Sequence, residues 1–182
     1  MAARADPDPV KAFVALIASD PGHSTAAVAR LESLWGAVDF SSDPLPFSHT
    51  AYYADEMGQD LSRQFVSFEA LIDPARVVAL KGVAVRVEQE LARQGRRTVN
   101  LDPGYVDYTK VVLASYKYGG QKVYLCQGVY ADIVLLYARG CFEPFAWTFP
   151  DFQSGAYDKV LLEIRRLYRR QRRGEQAGQE TR

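Results

Sequence analysis

The sequence is poor in the side chains that most metal and redox chemistry needs, with 2 cysteines, 2 histidines, 2 methionines and 2 tryptophans among its 182 residues. Cys126 and Cys141 stand in separate strand-like runs with no CxxC or Cys/His spacing. That excludes a cysteine scaffold and a structural zinc site, and the expected state is two buried free thiols in a reducing cytoplasm. No stretch reaches the ~18–20 apolar residues of a membrane span. The apolar run Val10–Ala18 is interrupted by Lys11 and precedes no small-residue cleavage site, so it reads as a first strand and not a secretory signal. Charge of one sign is lacking too. The chain has 22 basic and 22 acidic side chains, against the basic excess of a dedicated polyanion binder. HExxH, HxE, GxGxxG and GxxxxGK[ST] are all missing, so zinc hydrolase, dinucleotide-fold and P-loop mechanisms lack their physical parts. No Ser-His-Asp or Cys-His arrangement is evident. His23 sits in a Pro-Gly-His turn that reads as surface, and His49 lies in an FSHTAYY loop where it could serve a site.

What is present is a core. The hydrophobic set makes up 48% of the chain, and this length suits one domain that needs no metal or disulfide for stability. The reading is a single α+β domain over residues 10–173, with disordered tails at 1–9 and 174–182. Val10–Ala18 predicts a strand buried on both faces. A helix follows, capped at Ser24 and stopped at Gly36, then a short strand near Val38 and a loop with two prolines. Residues 61–71 alternate as a strand, and Asp73-Pro74 opens the longest helix, ending by Gly95. Asp102-Pro103-Gly104-Tyr105 has the composition of a type II turn. Residues 110–118 and 121–137 then form a hairpin about Gly119-Gly120, read as a type I′ turn. Residues 142–149 return as a strand, and a last helix runs over about 154–172. The order predicts a mixed or antiparallel sheet with helices packed mainly on one face, a ferredoxin-like split βαβ arrangement being the nearest common scheme.

Register turns this outline into a site. In the second hairpin strand Val123, Leu125, Val129, Ala131, Ile133 and Leu135 share odd numbers and should be buried under helices. The opposite face then carries Tyr124, Cys126, Tyr130 and Asp132, with Ser115 and Lys117 across the hairpin. Lys117 opposite Lys122 would splay into solvent or await an anion. Asp132 is a carboxylate deep in an apolar run, costly there unless it is paired. Arg63, Phe65, Ser67 and Glu69 share one parity of the preceding strand and could join that cluster.

Five segments in order, YYADEMG, RQFVSFE, VNLDPGY, VYADIVLLY and WTFPDF, resemble an uncharacterised bacterial family catalogued as domain of unknown function 4416. The resemblance spans most of the chain. Its recurring positions would fall at Glu56, Met57, Gly58, Arg63, Ser67, Glu69, Asn100, Asp102, Gly104, Lys110, Asp132, Trp147, Pro150 and Asp151, glutamate being as common as aspartate at Asp132. It implies that these motifs form one functional unit and names no reaction.

Carboxylates recur at element ends and loops. Glu69, Asp102 and Asp132 are the candidates for acid and base or for holding a divalent metal such as Mg²⁺, and Asp55, Glu56 and Asp151 stand nearby in the motifs. Asp102 could equally serve its turn, and Asp151 could cap the last helix. Arg63, Lys110 and Lys117 would suit a phosphate or carboxylate ligand, and Tyr52, Tyr53, Tyr105, Tyr130 and Trp147 offer aromatic surfaces. Together with Glu56, Ser67, Asn100 and Asp151 these make up the expected lining of a cleft for a small anionic or nucleotide-like ligand. The second reading is a non-catalytic adaptor. The last helix carries arginines from Arg165 to Arg173, which would contact RNA or a protein partner, although the dipole at a helix C-terminus already favours cations there.

Overall fold

All of β1 (Val10–Ala18) is buried, so this strand must be covered on both faces and paired on both edges. The computed structural model, which describes residues 5–48, 54–58 and 60–179, shows how. β1 lies between β4 (Ser62–Ile72) and β5 (Val99–Val106), antiparallel to each. The helix between, α1 (Pro21–Trp35), is capped by Asp20, whose carboxylate accepts the N–H groups of Gly22 and His23. Asp20 displaces Ser24 from the expected role because Pro21 already supplies the first helical turn. Gly36, at φ 101°, ends the helix where expected. The chain returns as β2 (Val38–Ser41) and β3 (Leu45–Pro46), both on the outer edge of β4, and α2 (Ala54–Met57) is a single turn. Asp73 caps a 3₁₀ turn, Pro74–Arg76, that leads into α3 (Val77–Leu91) and then β5. The order β2-β4-β1-β5, with helices after β1 and β4, is the split βαβ scheme.

Further strands widen the sheet. β6 (Lys110–Ser115) pairs with β5, β8 (Val129–Ala138) with β6, and β7 (Val123–Cys126) and β9 (Cys141–Pro144) both pair with β8. Among the described residues this is one antiparallel sheet of nine strands. α1 and α3 share a face, where Ala27, Leu31, Leu80, Ala84 and Val87 meet Val14, Leu16 and Val66. After α4 (Pro150–Gln153), α5 (Asp158–Gln179) covers the opposite face, so one long helix departs from the expected side. Leu161 and Ile164 pack there with Phe13, Ala15 and Phe65. Each such fully buried aliphatic contributes about 1.5–3 kcal/mol.

Several local expectations are corrected. Gly119-Gly120 does not close the hairpin, and neither glycine has positive φ. The tight turn is Gln127-Gly128, at φ 52° and 77°, joining β7 to β8, so β6 faces β8 and β7 becomes an edge. The expected sidedness therefore holds only in part. Val129 and Leu135 are buried, while Val123 and Leu125 are exposed on the edge. A register shift opposite Val111 and Val112 buries Val134 as well as Leu135. Residues 102–105 lie inside β5 and not in a turn. The expected strand over 142–149 stops at Pro144, and the final helix starts at Asp158 and runs on to Gln179, so residues 174–179 are helical and not a frayed tail. Cys126 and Cys141 are free, as expected, but exposed. No helix of the described residues is long and apolar enough to cross a membrane.

Candidate functional site

The site begins where β5 and β6 part. They pair only over Gly104, Tyr105 and Val106. Gly104 is what lets them touch, because a Cβ there would sit 2.2 Å from the Val112 carbonyl oxygen. Before it, the peptide groups of β5 on the β6 side need other partners. Two side chains of α3 provide them: the Leu101 N–H donates to Glu88 Oε1 at 2.6 Å, and Lys81 Nζ donates to the Leu101 carbonyl at 3.2 Å. Pro103, two residues on and so facing the same way, has no N–H to orphan. Proline is thus tolerated in mid-strand because its neighbour has departed.

The gap is a cleft of about 720 Å³. Lys81 and Glu88 reach it from α3, Asn100 and Asp102 from β5, and Arg63 from β4. Lys117 and Lys122 come from the loop after β6, Asp132 from β8, and Trp147, Phe149 and Asp151 from the segment around α4. Trp147 is set in place by stacking on Phe145, with centroids 4.5 Å apart and planes at 7°, and by its indole N–H, which donates to the Ile133 carbonyl. About half of Trp147 stays exposed.

The deep charges of this cleft are buried but loosely paired. Arg63 stands 3.3 Å from Asp151 and 4.0 Å from Asp102, Lys81 is 3.8 Å from Asp102, and Lys122 is 3.3 Å from Asp132. Ion pairs elsewhere close to 2.7 Å for Arg30–Glu90 and 2.6 Å for Arg166–Glu163. Arg63 is 4% exposed and sandwiched by Phe47, Phe152 and Tyr157, yet among the described residues its Nε and Nη1 find no hydrogen-bond acceptor. Asp132 is 2% exposed, and its Oδ1 likewise lacks a donor. Burial pushes the Glu88 carboxyl above the usual carboxylate range, against the Leu101 N–H and the Lys81 charge that pull it down. Burial also raises the Tyr157 hydroxyl, which donates to Asp151 at 3.2 Å.

Of the residues expected from sequence, the cleft unites Arg63, Asn100, Asp102, Lys117, Asp132, Trp147 and Asp151. Glu56 stands at its rim, ion-paired with Arg97. The others lie elsewhere. Glu69 is exposed, six residues and about 20 Å along β4 from Arg63. Ser67 is buried at that far end, donating to Asp39 at 2.7 Å. Tyr105 and Lys110 line a separate, smaller hollow, where Lys110 pairs with Asp107. Tyr130 packs edge-on against Tyr118 and Tyr124 and does not line the cleft. Among the described residues no three carboxylate, histidine or cysteine groups converge as a metal set. Glu69, Asp102 and Asp132 therefore do not form the Mg²⁺ site their recurrence suggested. His49, Tyr52, Tyr53 and the side chain of Asp55 lie outside the described residues.

Sequence reasoning missed Lys81, Glu88, Arg97 and the inward turn of Lys122. A signal existed for the first two, as charges within the stripe of α3 that also holds Val77, Leu80, Ala84 and Val87. Lys122 turns in because three acceptors await it: Asp132, Ser115 Oγ at 3.1 Å and the Lys117 carbonyl at 3.3 Å.

The arginines of α5 divide into two groups. Arg165 is buried, donates to the Tyr108 carbonyl and lies 3.3 Å above the Tyr137 ring. Arg166 pairs with Glu163, and Arg172 with Asp8 and Glu175. Arg169, Arg170 and Arg173 face solvent.

A family model described as a domain of unknown function, DUF4416, matches residues 8–168, so the chain belongs to that family. No curated protein and no solved structure matches the chain.

Proposed function

For a member of a family described without an activity, we propose a function from the cleft: it binds a small anionic or nucleotide-like ligand. The observation that carries this is Arg63, a buried guanidinium in the lining of the cavity whose Nε and Nη1 have no hydrogen-bond acceptor among the described residues. A buried donor without a partner costs ~1–3 kcal/mol, a cost that a ligand's acceptor would remove. The cavity lies within the ~300–1,000 Å³ typical of small-molecule sites. Lys81, Lys117 and Lys122 add positive charge around it, and Asp102 and Asp132 are the residues from which an acid or base for turnover would come. The test is a thermal-shift titration of the full chain with inorganic phosphate and AMP, with and without Mg²⁺. Saturation at about 100 times Kd stabilises a protein by about 2.7 kcal/mol. The expected shift is present in the parent and lost in Arg63→Gln, and a parent that responds to neither probe overturns the reading.

The adaptor reading rests on Arg169, Arg170 and Arg173, since the remaining arginines are engaged within the fold. Reversing these three to glutamate would abolish salt-sensitive RNA binding in an adaptor and leave the cleft's ligand untouched. We place the protein in the cytoplasm, because two exposed free thiols are best kept reduced there.

A further inference from the structure

The cleft holds a second unsatisfied group besides Arg63, and the two are opposite in kind. Arg63 offers N–H donors, whereas Asp132 Oδ1, on a side chain 3% exposed, offers an acceptor that has no donor among the described residues. Lys122 does not answer it, for that ammonium stands nearer Oδ2 and already faces Ser115 and the Lys117 carbonyl. The charge of the deep wall is also informative. The lining is near balance, five cations (Arg63, Lys81, Arg97, Lys117 and Lys122) with four carboxylates (Glu88, Asp102, Asp132 and Asp151) interleaved among them. A polyphosphate placed there would meet repulsion from those acids at low local dielectric. At the mouth, Trp147 and Phe149 are about half exposed, and Trp147 is already fixed by its stack on Phe145.

Resting on the anion-binding reading above, we infer that the ligand carries one anionic group and an N–H donor on or beside a flat ring. Arg63 takes the anion, Asp132 Oδ1 takes the amine, and the rim aromatics cover the ring. An aminopurine nucleoside monophosphate and an aromatic α-amino acid share this chemistry. A site built to accept an N–H discriminates strongly against the analogue lacking it, because the buried acceptor is then left bare.

The test is calorimetric titration of the full chain with two matched pairs and a polyanion: AMP against purine riboside 5′-monophosphate, which lacks the 6-amino group, L-phenylalanine against 3-phenylpropionate, and tripolyphosphate. The amine-bearing member of one pair should bind at least tenfold tighter than its partner and tighter than tripolyphosphate, and the pair that discriminates identifies the source. Asp132→Ala should reduce the preference to within twofold. Should Asp132→Ala fail to fold by circular dichroism, Asp132→Asn should cut the preference at least threefold through loss of charge. Equal binding within both pairs, or tightest binding by tripolyphosphate, overturns the inference. If these anions bind and depend on Arg63 without gain from the amine, the anion site survives and this inference falls. If no probe binds in an Arg63-dependent way, both fall.

Discussion

Two buried charge clusters lie on the same face of β4, and they are built in opposite ways. At one end Lys11, wholly buried, has three acceptors for its three protons: Asp39, Gln171 Oε1 at 2.9 Å and the Glu69 carbonyl at 3.5 Å. Ser67 closes the other oxygen of Asp39, and Gln171 also donates to the Glu69 carbonyl, tying α5 to the sheet. At the other end Arg63 is buried as deeply, but its carboxylate neighbours stand too far off or too poorly aligned to satisfy it. Burial of charge is common to both, so burial alone does not mark a site. What differs is completeness: the Lys11 cluster is closed, and the Arg63 cluster leaves bonds for something else to make.

The sharpest way to break this comparison is to remove each cation. Lys11→Met strands the Asp39 carboxylate with Ser67 as its remaining side-chain donor among the described residues and frees Gln171 and the Glu69 carbonyl of a partner. Removing one member of a buried pair costs on the order of 3–5 kcal/mol, and urea denaturation should show a loss of about 3 kcal/mol because Asp39 is partly exposed. Arg63→Gln should act differently. It deletes two loose ion pairs and the contacts with three rings but also two desolvated donors that have no acceptor among the described residues, and those terms oppose each other. A net change under about 1 kcal/mol is expected in the ligand-free protein, each orphaned donor having cost ~1–3 kcal/mol. Losses of equal size at the two positions would erase the distinction between a closed cluster and an open one.

The same contrast explains what could be read from sequence. β1, the stop at Gly36, β4 and the helix after Asp73-Pro74 were legible because local periodicity and capping decide them. Asp132 was legible as an expensive residue in an apolar run. The hairpin was not, because Gly119-Gly120 carries the stronger turn signal although Gln127-Gly128 takes the positive φ angles. Nor was the strand through Asp102, Pro103 and Gly104. Its proline is harmless only because β6 has already left, which is a tertiary fact that a turn rule cannot contain. Glu69 was misplaced by parity reasoning, since sharing a face with Arg63 says nothing about distance along the strand. Lys81 and Glu88 escaped because their partner is a backbone peptide on another element.

A finer probe of the open cluster is Glu88, which holds the parted strand by accepting the Leu101 N–H. Burial raises its carboxyl above the ordinary value near 4.5, so the folded protein binds a proton there that the unfolded chain releases. Ionised Glu88 therefore costs stability near neutral pH, and that cost is relieved as pH falls through its raised folded value. Glu88→Gln keeps an oxygen for the Leu101 N–H and removes the charge. It should be slightly more stable than the parent at pH 7, with the gap closing as pH approaches 4.5, as read by urea midpoints across that range. A gap that stays constant with pH would mean that Glu88 is not held ionised against burial. The same measurement on Lys11→Met bears on the closed cluster. Burial holds the Lys11 ammonium below its ordinary value of 10.5, so the cost of ionising it in the folded protein is relieved as pH rises toward that value, and the deficit of the variant should widen on the alkaline side.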